Sequence, residues 1–402
     1  MPILFLIVVV DLIGFGIIIP LLPFYAEFFQ ADPATVGLIM ATYSLTQFIA
    51  APFWGSMSDK IGRRPVLLVS LAGAVVAYVW LGFAETLWVL FAARALGGFM
   101  AGNISTAFAY VADVTTRENR AKGMGLIGAA FGLGFIIGPA VGGILAGPDP
   151  IQADYQSPAF AAAGLSALAL VLGLVFLKES LAPEIRQRLR ERPRETRRQQ
   201  FRDSIGRANI GFLILISFLA TVAFAGLEAT FAMWSRRQFG WGPEQNGYLF
   251  AFVGILGALV QGGLVGRLAR RFGEARLIVQ GAAALSLGVL MIPFATNLPL
   301  LLVAMTVAAY GFSVISPALN SLISLEAGEE EQGTVMGVTR SATTLARVAG
   351  PAFAGALFAF LGKDWPYYAG AVIMAAVTVM VLRALPRLNA RRPDAAEAAK
   401  EP

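Results

Sequence analysis

No histidine and no cysteine occur in the 402 residues, and these two absences remove whole classes of chemistry. There is no thiol nucleophile, no disulfide framework and no zinc site built on thiolate or imidazole ligands. Without imidazole, any proton the protein carries has to travel on carboxylates. Charge is scarce too: 14% of the residues are charged, against about a quarter in soluble proteins. No phosphate-binding loop is present, which argues against ATP as an energy source. No nucleophile–base constellation points to an enzyme.

What fills the chain instead is apolar sequence, 57% by composition. A membrane helix needs about 20 consecutive, predominantly apolar residues, and such runs recur almost without pause. They are expected at about 3–25, 34–57, 66–84, 88–112, 123–146 and 159–177. After a polar gap they resume at about 210–234, 245–266, 276–295, 298–322, 334–361 and 366–385. Asp11 and the glycines interrupt the first run and it lacks a basic start, so it reads as a first span and not as a cleavable leader. The fold expected is all-α and integral to the membrane, with twelve transmembrane helices in two six-helix bundles.

The formal net charge of +6 does not indicate nucleic acid, because the basic residues fall on one side of the expected membrane. Lys60, Arg63 and Arg64 lie there, with Arg117, Arg120 and Lys122, then Arg267, Arg270, Arg271 and Arg276. The Arg-rich linker and the tail from Arg383 join them. The opposite side receives Arg236, Arg237 and Lys363. By the positive-inside rule both termini are cytoplasmic. The acidic loop of Glu326, Glu329, Glu330 and Glu331 runs against the trend, but acidic residues weigh little in it.

The two halves read as copies. Gly55 to Gly62 matches Gly266 to Gly273 at an offset of 211, and Met124-Gly125 and Gly138-Pro139 match Met336-Gly337 and Gly350-Pro351 at 212. Duplicated six-helix halves point to a transporter with its site between them near mid-membrane. The expected divisions are a first bundle over 1–178, a linker over 179–208, a second bundle over 209–386 and a disordered tail over 387–402. The linker is too polar to bury a core. It reads as a solvated anchor or as a basic helix lying on anionic lipid.

Three stretches narrow the reading. Gly55-Ser-Met-Ser-Asp59-Lys-Ile-Gly62-Arg63-Arg64-Pro65, taken as a tight polar turn, resembles the signature loop of the major facilitator superfamily. Asp11-Leu-Ile-Gly14-Phe-Gly16-Ile-Ile-Ile-Pro20-Leu-Leu-Pro23 resembles the first helix of its tetracycline-resistance-like drug:proton antiporters. Gly134-Phe-Ile-Ile-Gly138-Pro139-Ala-Val-Gly142-Gly143 resembles the antiporter motif of the fifth helix. The resemblance covers nearly the whole chain apart from linker and tail.

Each motif also has a physical reading. Gly55 permits close approach to a helix of the other half, and Asp59 suits the N-terminus of the eleventh helix, where the dipole favours an anion. Arg63 is placed to bridge Asp59 to Asp113, a latch that would favour the outward-open state. Gly134, Gly138 and Gly142 make a small-residue seam, bent by Pro139, that would seal one bundle against the other. Gly143 extends it.

Charges within the spans weigh most, since each is expensive there and faces a cavity or a partner. They are Asp11, Arg94, Glu228, Arg340 and Arg347; if all five are ionised, the cavity is net positive by one charge. Arg94 heads Arg94-Ala-Leu-Gly97-Gly98, which resembles the family's fourth-helix motif, where the arginine is associated with proton transfer. A pairing of Asp11 with Arg94 is expected. Glu228 is a candidate proton or cation site, with permanent pairing to Arg340 or Arg347 as its structural alternative. Tyr43, Gln47, Asn103, Trp234, Gln261 and Asn320 are candidates to line the cavity or to bond between helices.

The sequence departs from the tetracycline exporters in lacking acids within 66–84 and 276–295. The expected activity is proton-coupled export of a small amphipathic compound. It would involve no cofactor, no metal, no nucleic acid and a monomer in a bacterial inner membrane. The alternative is a lipid or anionic-metabolite transporter of the same fold; a non-transporting receptor or scaffold would need no paired charges inside the membrane.

Overall fold

Proline and glycine set where these apolar stretches begin, break and end. The computed structural model describes residues 2–116, 119–191, 206–327 and 331–389. Arg117, linker residues 192–205, Glu329, Glu330 and tail residues 390–402 lie outside them. Among the described residues, twelve helices are long and apolar enough to cross a membrane and no strand occurs. They are α1 (Pro2–Phe28), α2 (Pro33–Ile61), α3 (Arg63–Gly82), α4 (Leu87–Val114), α5 (Gly123–Ala146) and α6 (Gln156–Phe176). A second set follows: α7 (Ala208–Phe239), α8 (Pro243–Phe272), α9 (Glu274–Phe294), α10 (Leu298–Ala327), α11 (Gln332–Leu361) and α12 (Trp365–Leu388).

In α1 the regular helix stops at Ile18, where Pro20 offers no backbone donor, and resumes at Leu22. α2 starts on Asp32, whose carboxylate accepts from the Thr35 N–H at 2.7 Å, with Pro33 at the first helical position. That N–H holds the Asp32 carboxyl below the usual carboxylate range.

The polar run from Gly55 is not a turn through most of its length. α2 continues helical to Ile61, and the reversal is confined to Gly62 at φ 111°, after which α3 begins at Arg63. The second copy does the same: α8 ends at Phe272, Gly273 takes φ 80°, and α9 begins at Glu274. A side chain at either glycine would strain this left-handed backbone. The repeat read at offset 211 is therefore a repeat of backbone conformation. Within the linker, Pro183–Glu191 is helical, with a proline and an acid in its first turn as helix starts favour.

Two compact units can be distinguished. One comprises 1–194, 225–255 and 344–366, that is α1 to α6 with parts of α7, α8 and α11 and the first residues of α12. One close joint in it is α1 on α5. A Cβ added at Gly134 would stand 2.7 Å from the Leu12 carbonyl oxygen, and one at Gly138 would stand 2.6 Å from Gly16 Cα. The face of Gly134, Gly138 and Gly142 thus meets α1, within the same half. Gly143, on the next face, meets α8, where its Cβ would stand 3.1 Å from Gly247 Cα. The other unit comprises 195–224, 256–343 and 367–402. In it α9 and α10 approach backbone to backbone at Gly281 and Gly311, and Phe224 stacks on Phe312 at 3.7 Å.

Two substitutions test the α1–α5 joint. Gly138→Val drives carbon into backbone and is expected to cost at least the ~1–3 kcal/mol of an overpacked core, lowering the melting temperature in detergent. Gly128→Ala, with nothing within 4 Å of the added carbon, should leave it unchanged.

Candidate functional site

The end of the molecule that carries the signature loop is organised by one buried arginine. Arg63 is 6% exposed. Its Nη1 donates to Asp59 Oδ1 at 2.6 Å and to Ser58 Oγ at 2.7 Å, and its Nε donates to Asp113 Oδ2 at 3.2 Å. The bridge from Asp59 to Asp113 is present as the spacing implied. Gly55 has ordinary room, its added Cβ reaching Ser105 Oγ at 3.8 Å.

Residues just after α6, read from sequence as linker, complete this cluster. The Glu179 carboxylate accepts from the backbone N–H groups of Arg63 (2.8 Å) and Arg64 (3.1 Å), capping α3. Ser180 Oγ donates to the same Asp113 oxygen that Arg63 holds, at 2.9 Å. In the linker helix, Arg186 Nε donates to the Lys60 carbonyl at 2.6 Å. Sequence reasoning missed Glu179 and Ser180 because a cap supplied from 116 residues away leaves no local pattern. The only signal was a polar Lys-Glu-Ser step closing an apolar span.

Deeper in the first unit, three charged groups find partners. Glu228 of α7 is 7% exposed, and its Oε2 lies 3.3 Å from Arg347 Nη1 of α11. This is the alternative in which an α11 arginine pairs with it. Asp11 of α1 accepts from Ser166 Oγ of α6 at 3.1 Å. Arg94 of α4 is 5% exposed and lies over the Tyr43 ring, 4.2 Å from its centroid. Its Nε is buried with no hydrogen-bond partner. The expected Asp11–Arg94 ion pair is not formed among the described residues: a hydroxyl holds the acid, and an aromatic face, which attracts cations, holds the base. Tyr43 also adjoins Phe15, ring centroids 5.1 Å apart, and Phe15 meets Phe135 edge-on at 6.3 Å. Arg340 lies in the other unit and is exposed.

Of the remaining candidates, two serve as bonds between helices and a third bonds to the turn between α11 and α12. Gln47 Nε2 donates to the Ala101 carbonyl at 3.2 Å, Asn103 Nδ2 donates to Ser70 Oγ, and Trp234 Nε1 donates to Asp364 at 2.8 Å. Gln261 and Asn320 are exposed, Gln261 on a π-helical turn over Val260–Leu264. Such turns often mark functional sites.

At the opposite end of α1, Glu27 meets Arg236 and Arg237 of α7, at 3.0 and 2.8 Å. In the sequence those two arginines stand out only as basic residues on the side opposite the signature loop.

The model of the Major Facilitator Superfamily matches residues 4–351 and 263–402. The chain belongs to the major facilitator superfamily. It is 33% identical over 387 residues to the tetracycline resistance protein, class C, of Escherichia coli, covering 94% of both chains. To multidrug resistance protein 2 of Bacillus subtilis it is 31% identical over 376 residues, covering 91% of this chain and 90% of that one. Among solved structures it resembles the human organic anion transporter MFSD10 (TETRAN), with TM-score 0.71, 26% identity and coverage of 94% and 98%. It is therefore a multi-pass integral membrane transporter of this superfamily and not an enzyme.

The Glu228–Arg347 pair gives this superfamily member a testable asymmetry. Removing one partner of a buried pair strands the other charge, at a cost of several kcal/mol. Because Arg347 is partly exposed, at 36% of its side chain, screening reduces that cost. Arg347→Ala is expected to lower the melting temperature in detergent, and Glu228→Ala added to it should restore part of the loss. A double variant less stable than either single would contradict the pairing.

Proposed function

We propose that this transporter exports small amphipathic compounds in exchange for protons, by alternating access between two six-helix halves. Glu228 carries the proposal: it is a carboxylate buried inside a span, held by one arginine of another helix, so that a proton can dissolve the pair. In this reading a proton taken up from outside neutralises Glu228 and releases Arg347, and substrate arriving from inside displaces the proton. Asp11, with its single hydroxyl donor, is the second proton-binding group, and Arg94 tunes the field around it. The names of the tetracycline and multidrug resistance relatives support export of a drug-like substrate. The proton gradient is the energy source, with no cofactor, and both termini face the cytoplasm of a bacterial inner membrane. The chain works as a monomer.

The Arg63 cluster is the cytoplasmic latch of this scheme, closing when Asp59 meets the start of α11. Gly143, meeting α8 beside the Gly134–Gly142 seam, suppresses leak at the other end.

A second reading, an anionic amphiphile or lipid as substrate, draws on the unpartnered Nε of Arg94 beside aromatic rings and on the similarity to an organic anion transporter. Stabilisation by anionic ligands that disappears on neutralising Arg340 would favour it.

Proteoliposomes with an imposed pH gradient test the coupling. Cationic and anionic dyes are first screened for ligands that raise the melting temperature, and a dye so found is used as the transported probe. Glu228→Gln and Asp11→Asn should each reduce gradient-driven uptake by at least tenfold while leaving downhill exchange measurable. Gradient-driven uptake intact in both variants would refute the assignment.

A further inference from the structure

We infer that Glu27, Arg236 and Arg237 form the latch that holds this transporter shut at the end opposite the signature loop. Glu27 lies in the last turn of α1, and its side chain is 8% exposed although it sits near a membrane edge. Its two oxygens are divided between two donors: Arg236 Nη1 bonds Oε2 at 3.0 Å and Arg237 Nη1 bonds Oε1 at 2.8 Å. Arg237 also donates to the Met233 carbonyl at 3.1 Å and lies 4.8 Å from the Phe358 ring centroid of α11. One carboxylate of the first half thereby gathers α7 and α11 of the second.

The surrounding contacts show what this cluster holds together. A Cβ at Gly37 of α2 would fall on the Pro351 carbonyl oxygen of α11, and one at Gly355 would stand 2.6 Å from the Pro33 carbonyl oxygen. On the other flank Gly143 of α5 meets Gly247 of α8. These helices touch backbone to backbone, through glycines that contribute close packing but no ionic attachment. Alternating access requires this end to part, and the contacts at the glycines are short-ranged. The charge-assisted bonds at Glu27 are the strong and directional ones. Two neighbouring arginines repel each other, and Glu27 is the anion they share. Neutralising it replaces two charge-assisted bonds by weaker neutral ones and leaves the two cations of α7 without a counter-charge on α1, which weakens the hold of α1 on α7 and favours the open arrangement. The latch follows from the superfamily's transport activity alone, and holds whether or not transport is proton-coupled.

The absence of native cysteine makes the test clean, because introduced cysteines are the only labelling sites. Spin labels at Leu38→Cys on α2 and Phe360→Cys on α11, both exposed apolar positions, report the separation of these helices by pulsed electron resonance. Neither substrate nor gradient is present, so a failure of the proton-coupling proposal leaves this measurement untouched. In the otherwise native protein a short distance is expected to dominate. Glu27→Gln should raise the long-distance population by about tenfold, and Arg236→Gln with Arg237→Gln should shift it in the same direction. The charge exchange Glu27→Arg with Arg236→Glu and Arg237→Glu should bring the short distance back, which a role in packing alone would not achieve. If Glu27→Gln does not fold, the arginine pair of substitutions decides. A distance distribution unchanged in whichever of these variants folds would overturn the latch.

Discussion

A carboxylate inside a bilayer has to be neutralised, hydrogen-bonded or paired, and this constraint shapes the surroundings of the charged groups within the spans. Glu228 meets it through Arg347, Asp11 through Ser166, and Arg94 meets the complementary constraint on a cation through the face of Tyr43. The three solutions differ in strength. An ion pair holds only while both groups are charged, and neutralising either one strands the other. A hydroxyl donor or an aromatic face is weaker and survives more motion. That gradation is why we place the coupling step at Glu228 and the tuning role at Arg94.

The same physics recurs at both ends of the spans, with opposite stoichiometry. At the signature loop one buried arginine gathers two carboxylates, Asp59 and Asp113. At the far end one buried carboxylate gathers two arginines, Arg236 and Arg237. Glycines do the complementary work by letting backbones touch where no charge is spent: Gly16 on Gly138, Gly37 on Pro351, Gly143 on Gly247. The internal repeat shows how these devices separated. Gly62 and Gly273 keep the same left-handed backbone, yet Arg270 stands where Asp59 stands in the first copy and Glu274 where Arg63 stands, so the turn was kept while the charges at these two positions changed sign.

Much of this was legible in the chain because it is local. Twelve apolar runs, their order, and the i,i+4 placement of Asp59 and Arg63 need no tertiary knowledge. Asp113, an acid at the end of the fourth apolar run, was reachable as the second anion for Arg63 to bridge. What escaped was long-range pairing. Glu27 and Arg236 are 209 residues apart, and nothing in either neighbourhood names the other. Glu179 looked like the first residue of a linker and proved to be the cap of α3. The Asp11–Arg94 pair was a reasonable inference from opposite charge and failed because Ser166 and Tyr43, both uncharged, met each need separately. Gln47 and Asn103 went the ordinary way of polar groups among packed helices, bonding to a neighbouring helix, and Trp234 bonds to Asp364 in the turn after α11. The polar run at Gly55 was read as a turn because charge usually marks a loop; with its salt bridge at helical spacing, the helix carries on to Ile61.

Coupling at Glu228 requires that its carboxylate take up a proton. Infrared difference spectra of the purified protein, recorded between neutral and acidic pH, observe that event directly. The account predicts a protonated-carboxyl band on acidification that is missing from the Glu228→Gln spectrum and present in that of Glu326→Gln, a residue outside the proposed relay. A band that persists unchanged in Glu228→Gln would contradict it.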